Sequence, residues 1–233
     1  MTNLQIPIIK LNFRFKFCSL DFGVWKFIKG FTIIELLIVM SLLGIATTLV
    51  SAAYLSFEKR ERVKSAALDL KSNLRLAQNK ALSGDKGIAG SPATEICDTF
   101  STLVGWFVRI NTGSPNYEVV GSCQTTSGEV GFSTKTYAYP DGVSLTHINY
   151  DGAYPEDFVN TTVNILFRPI EREVYFFNSS TPPFLDGTGN IITAGLLEEP
   201  ASGQISLRLR LEGFDTIYDV NISTSGEINE KKL

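Results

Sequence analysis

Between Glu35 and Glu58 the chain carries no charge over 22 residues, Leu36 to Phe57. That run constrains the fold more than any other feature. At 1.5 Å per residue a helix of this length measures about 33 Å, enough to cross a hydrocarbon core of about 30 Å. Lys26 and Lys29 stand just before it. By the positive-inside rule they hold the preceding residues in the cytoplasm and place the residues beyond Phe57 outside it. A secretory signal peptide shares the basic start, the apolar run and the small residues Ser51-Ala52-Ala53. Two features argue against one. The run is longer than a signal core, and Glu35 lies at its start, where an ionised group is costly unless it finds a partner.

Charge is distributed as such a topology would have it. Of the 233 residues, 1–30 hold five bases and one acid, and 31–83 hold seven bases and four acids. Residues 84–233 hold nine bases and nineteen acids, a local charge of −10 inside a total of −3. Segments of such different sign face different surroundings. With 44% hydrophobic and 19% charged residues, the chain is not a disordered one.

The stretch Gly30-Phe31-Thr32-Ile33-Ile34-Glu35-Leu36-Leu37-Ile38-Val39 resembles the type IV prepilin cleavage and N-methylation motif. The resemblance implies that a membrane prepilin peptidase cuts between Gly30 and Phe31 and methylates the new amino group of Phe31. The apolar helix then stays on the protein, and Glu35 is the acid used in assembly with other pilins. A carboxylate in the membrane needs a cation, and the free amine of Phe31, on its own or a neighbouring subunit, is the nearest. A plain single-pass anchor is the competing reading. Residues 1–30 form a long leader, rich in Phe, Ile and Leu from Leu4 to Val24. Val24 to Gly30 would be an ordinary short leader by itself, so translation is expected to start at Val24, read from a GUG codon. If residues 1–23 are made, they form an aromatic and basic stretch suited to a membrane surface.

Beyond the membrane run, Val63, Ala67, Leu70, Leu74, Ala77 and Ala81 recur on one face of a continuing helix. Ser83-Gly84 supplies the stop, with Lys80 in the last turn. From Phe31 to Ser83 that helix would be about 80 Å long. Gly44 eases local unwinding at up to about 1 kcal/mol, and Leu49 to Tyr54 contain no proline, so the helix is expected to be straight. Strands are expected at 103–110, 117–120, 143–148, 163–167 and 173–177, followed by a closing hairpin of 204–211 and 216–222 around Glu212-Gly213. In that hairpin Ile205, Leu207, Leu209 and Leu211 should face the helix, with Arg208 and Arg210 toward solvent. The fold class is therefore α+β, a long N-terminal helix packed on an antiparallel β-sheet head. The expected divisions are a leader (1–30), a transmembrane helix (31–57), its continuation in the head (58–83) and a β-rich extracytoplasmic head (84–233).

Asp69 to Leu82, Ile165-Leu-Phe-Arg-Pro169 and Ser223-Thr-Ser-Gly-Glu-Ile228 resemble GspH/FimT-type minor pseudopilins. That resemblance implies a structural subunit of a type II secretion pseudopilus or a type IV pilus. Its partners would be prepilin peptidase, the inner membrane and, through the N-terminal helix, other pilins. The location would be single-pass in the inner membrane with a periplasmic head. The alternative is a membrane-tethered protein that binds DNA or a secreted substrate. Gly226 is followed by Glu227-Ile-Asn-Glu230 rather than by arginines, and a head of −10 works against phosphate. Nucleic acid is therefore not an expected partner.

Nothing in the sequence reads as an enzyme: no nucleophile motif, phosphate loop or metal-spaced cluster stands out, and no cofactor is expected. His147, the one histidine, falls in an alternating strand. Asp186-Gly-Thr-Gly-Asn190 is either a plain turn or a calcium loop. One carboxylate is few for the six to eight oxygens calcium prefers. Cys18 falls in the leader, which leaves Cys97 and Cys123 outside the cytoplasm. A hairpin of 103–110 and 117–120 would bring them together, so a disulfide is expected in an oxidising compartment. Two free buried thiols are the other possibility.

Overall fold

The computed structural model describes residues 32–87, 97–98, 100–150, 161–170, 173–178, 183–186, 188–197 and 203–233. One helix, α1, runs from Ile33 to Leu82. Its residues divide between two compact units, one ending at Leu49 and one comprising Val50–Leu233. The first contains the described residues up to Leu49, a bare helix.

In the second unit α1 persists to Leu82 because its interior lacks proline and its apolar positions keep a 3.6-residue period. Val63, Ala66, Ala67, Leu70, Leu74, Ala77 and Ala81 are all buried. The helix ends where Gly84 takes φ +66°, a conformation glycine adopts without a Cβ penalty. There the Asp85 amide donates to the Lys80 carbonyl at 2.9 Å and the Gly84 amide to the Ala81 carbonyl at 3.0 Å. Lys80 closes this end by pairing with Asp85 at 2.9 Å and lying 4.0 Å over the Trp106 ring. The Trp106 indole donates to the Asp85 carbonyl at 2.8 Å.

Among the described residues nine strands follow: β1 (Thr102–Asn111), β2 (Asn116–Thr125), β3 (Gly128–Ala138), β4 (Val143–Asn149), β5 (Thr162–Phe167), β6 (Val174–Phe177), β7 (Gln204–Leu211), β8 (Ile217–Ser223) and β9 (Ile228–Lys232). They form two antiparallel sheets, β3-β2-β1-β5-β6 and β4-β7-β8-β9. Strand alternation turns Trp106, Val108, Ile110 and Ile165 of one sheet, and Leu145, Leu207, Leu209 and Ile222 of the other, into one core with the α1 stripe. The other face of the larger sheet carries a smaller cluster: Val104, Phe107, Val120, Leu166 and Phe177 under Phe184 and Leu185. Glu129 fastens that cover. Its carboxylate accepts from the Phe184 amide at 2.6 Å, the Leu185 amide at 3.2 Å and the Ser122 hydroxyl at 2.5 Å.

The α+β architecture of a long helix on antiparallel sheets is what the periodicity predicts. Three details differ. The second strand continues beyond Val120 to Thr125, so Cys123 lies inside β2 instead of flanking it. The edge strands β3 and β9 were not foreseen. Arg208 does not point to solvent: its guanidinium holds the Asp219 carboxylate with two bonds, 3.0 and 3.1 Å. The cause is register, since Arg208 on β7 lies directly opposite Asp219 on β8. Arg210 does stay exposed, beside Asp215. The inward set Ile205, Leu207, Leu209 and Leu211 is buried as expected.

Candidate functional site

The candidate site begins at the first turn of α1. Thr32 caps the helix, its hydroxyl accepting from the Glu35 amide at 3.3 Å while its carbonyl accepts from the Leu36 amide at 3.2 Å. Thr32-x-x-Glu35 has capping-box spacing, a local signal that could have identified Thr32 from sequence and did not enter the motif reading. Glu35 stands in the first turn, where a carboxylate complements the helix dipole. From there the helix presents apolar side chains all round. Ile33, Ile34, Leu36, Leu37, Ile38, Val39, Met40, Leu42, Leu43 and Ile45 are exposed. In the second unit so are Val50, Tyr54, Leu55 and Phe57. An 18-residue window of α1 has a mean hydropathy of 2.4 with none of it buried, so the helix is long and apolar enough to cross a membrane.

Polar side chains in this stretch satisfy themselves. Ser41 donates to the Ile38 carbonyl at 2.8 Å, Thr47 to the Leu43 and Gly44 carbonyls at 3.0 and 2.9 Å, and Thr48 to the Ile45 carbonyl at 2.8 Å. Ser56 does the same to the Ala53 carbonyl at 2.9 Å. Hydroxyls bonded back to their own helix ask nothing of lipid. Gly44 has open space where a Cβ would stand. Immediately after Phe57 the surface becomes ionic, with Arg62 bonded to Glu58 at 2.6 Å and Lys64 near Glu61 at 3.5 Å. Such exposed pairs contribute little to stability, and here they mark the end of the apolar zone.

Gly30 and Phe31, the expected cleavage and methylation residues, lie outside the described residues, as does Cys18 of the expected leader. Cys97 and Cys123 form a disulfide with Cα atoms 5.8 Å apart. It ties the approach to β1 onto β2, and both residues are buried.

No group of three or more metal-capable side chains gathers among the described residues. At Asp186 one carboxylate oxygen accepts from the Thr188 amide and hydroxyl at 2.9 and 2.7 Å and from the Asn190 amide at 2.9 Å. Those bonds hold the Asp186 carboxyl below the usual range and describe a turn closed by its own side chain. His147 lies on β4 opposite Arg208.

The family model described as the prokaryotic N-terminal methylation motif matches residues 25–51. No curated protein and no solved structure matches the chain. The motif, the apolar helix that carries it and the α+β head together support a type IV pilin-like protein, anchored through its N-terminal helix.

Proposed function

We propose that this chain is a structural assembly subunit, a minor pilin or pseudopilin of the GspH/FimT type. Prepilin peptidase cuts it after Gly30 and methylates Phe31. Residues 31–57 then hold it in the inner membrane, with the head on the periplasmic side, until it joins a type IV pilus or type II secretion pseudopilus. One observation carries the reading. A helix with exposed apolar side chains from Ile33 to Phe57 leads into a head whose own core is already closed. Exposed apolar surface on that scale marks a site for lipid or for other proteins. The prepilin motif at residues 25–51 supports both in succession, lipid first and other pilins on assembly.

In this role Glu35 accepts the charged amine of Phe31 from a neighbouring subunit, because lipid offers a carboxylate no other counter-ion. N-terminal sequencing and intact mass of the membrane-extracted protein test the processing. The mature chain is expected to begin at methylated Phe31, and Gly30→Leu to leave the uncut precursor. Recovery of a chain that retains Lys26 and Lys29 would show a plain anchor.

A further inference from the structure

The β7–β8 hairpin turns at Glu212–Asp215, at the end of the head where α1 enters it. Two hydrogen bonds shape that turn. The Phe214 amide donates to the Leu211 carbonyl at 3.1 Å, and the Arg210 guanidinium donates to the Phe214 carbonyl at 3.2 Å. The ring of Phe214 is half-buried against the edge of the core. The ammonium of Lys59 lies 5.7 Å from its centroid.

Lys59 fixes the height of that ring. It stands two residues past Phe57, the last of the uncharged run, which is about 3 Å along a helix. The headgroup layer flanking the hydrocarbon core is about 5–7 Å deep on each side. With Phe57 at the hydrocarbon boundary, Phe214 stands within that layer. We propose that the hairpin tip Glu212–Asp215 is a second membrane contact, with Phe214 seated in the headgroup layer of the bilayer that α1 spans. The inference rests on the anchoring described under Proposed function.

Charge at this level says what kind of lipid contact it is. The start of the head's helix and the hairpin tip carry Lys59, Arg60, Arg62, Lys64 and Arg210 against Glu58, Glu61, Glu212 and Asp215 in number, five bases to four acids. Three pairs form among them: Arg62 with Glu58, Lys64 with Glu61, and Arg210 with Asp215 at 3.8 Å. The surface is close to neutral, unlike the polybasic patches that select anionic lipid. The contact is made by an aromatic ring, with the Lys59 stem extending toward the headgroups. It should therefore persist on zwitterionic phosphatidylcholine and at high salt.

The test uses mature full-length protein, one copy per phosphatidylcholine nanodisc, so that no second subunit can cover the tip. Phe214→Trp adds a tryptophan to a head whose own Trp106 is buried in the core. Lipid brominated near the headgroup end of its acyl chains should quench the added emission at least twofold more than that of the unsubstituted protein. Equal quenching overturns the proposal. A second measurement needs no substitution. Gadolinium-chelating headgroup lipid should broaden the Phe214 amide resonance and spare Ser225, which lies in the turn at the opposite end of β8. Equal broadening, or none at Phe214, overturns it as well. If the protein fails to co-float with the bilayer, the anchoring itself is wrong. If it floats and Phe214 stays unquenched, only the hairpin contact is wrong.

Discussion

Tyr117 joins the larger sheet to the helix through its hydroxyl, which accepts from the Asn73 side-chain amide at 2.7 Å. Its ring lies between Tyr137 and Tyr139, with centroids 5.6 and 5.0 Å away. Burial pushes its pKa up to about 12, the nearby charge of Asp69 adds to this, and the Asn73 bond opposes it. The sign follows from linkage: the folded state holds this proton more tightly than the unfolded state, whose value is 10.0. The stabilisation is complete below pH 10 and is lost as pH rises from 10 toward 12, to the extent of about 2 kcal/mol. Tyr117→Phe has no such proton to lose. Its denaturation midpoint, followed by near-UV circular dichroism, should fall less between pH 9 and 11.5 than that of the unsubstituted protein. An identical fall would assign the alkaline limit elsewhere. Tyr139 adds to that limit, since burial raises its pKa too and its hydroxyl has no hydrogen-bond partner among the described residues.

At the scale of elements, α1 carries two different surfaces on one helix, and both were legible because both are periodic or continuous in sequence. The apolar stripe from Val63 to Ala81 repeats every 3.6 residues, and the uncharged run needs no period at all. The β7–β8 hairpin was legible from strict alternation around Glu212-Gly213. Strands β3 and β9 were not. In β3 the stretch Gly128–Ala138 buries Phe132 and leaves most of its other side chains exposed or half-exposed, so no alternation shows. Gly121 of β2 is needed there, because a Cβ on it would meet the Phe132 ring. In β9 the residues after Ile228 are all exposed. Besides its ladder with β8, that strand and the turn before it are tied to α1: Lys71 pairs with Glu230, Arg75 donates to the Ile228 carbonyl at 3.1 Å, and Gln78 donates to the Gly226 carbonyl at 2.9 Å. Partners 148 to 159 residues apart leave no local signal. Within the candidate site the motif was readable because it is contiguous, whereas Phe214 reaches Lys59 only through the fold. In the proposed role Glu35 would serve two ends, helix start and assembly, that a single substitution separates. Glu35→Gln keeps a polar side chain in the first helical turn and removes the charge. The variant should insert and fold normally, yet co-purify with partner pilins at a small fraction of the unsubstituted level. Undiminished co-purification would reduce Glu35 to a helix-start residue.

For the molecule as a whole, one covalent link joins the segment leading into β1 to β2. The Cys97–Cys123 bridge spans 26 residues and should contribute about 3 kcal/mol, chiefly by restricting the unfolded chain. Replacing both cysteines with serine should lower stability by about that amount without altering membrane insertion, measurable as the shift in urea midpoint. No shift would mean that packing alone holds the segment. The pairing of α1 with β9 has a consequence for biosynthesis. Helix α1 and β9, the last of the described strands, touch each other, so in the proposed topology the basic face of α1 would stay uncovered until β9 had crossed the membrane. Loop closure over that separation is slow. In the topology proposed above, each new chain would thus pass through a period, set by the rate of export, in which a head lacking β9 is tethered at the bilayer and still open to chaperones and proteases.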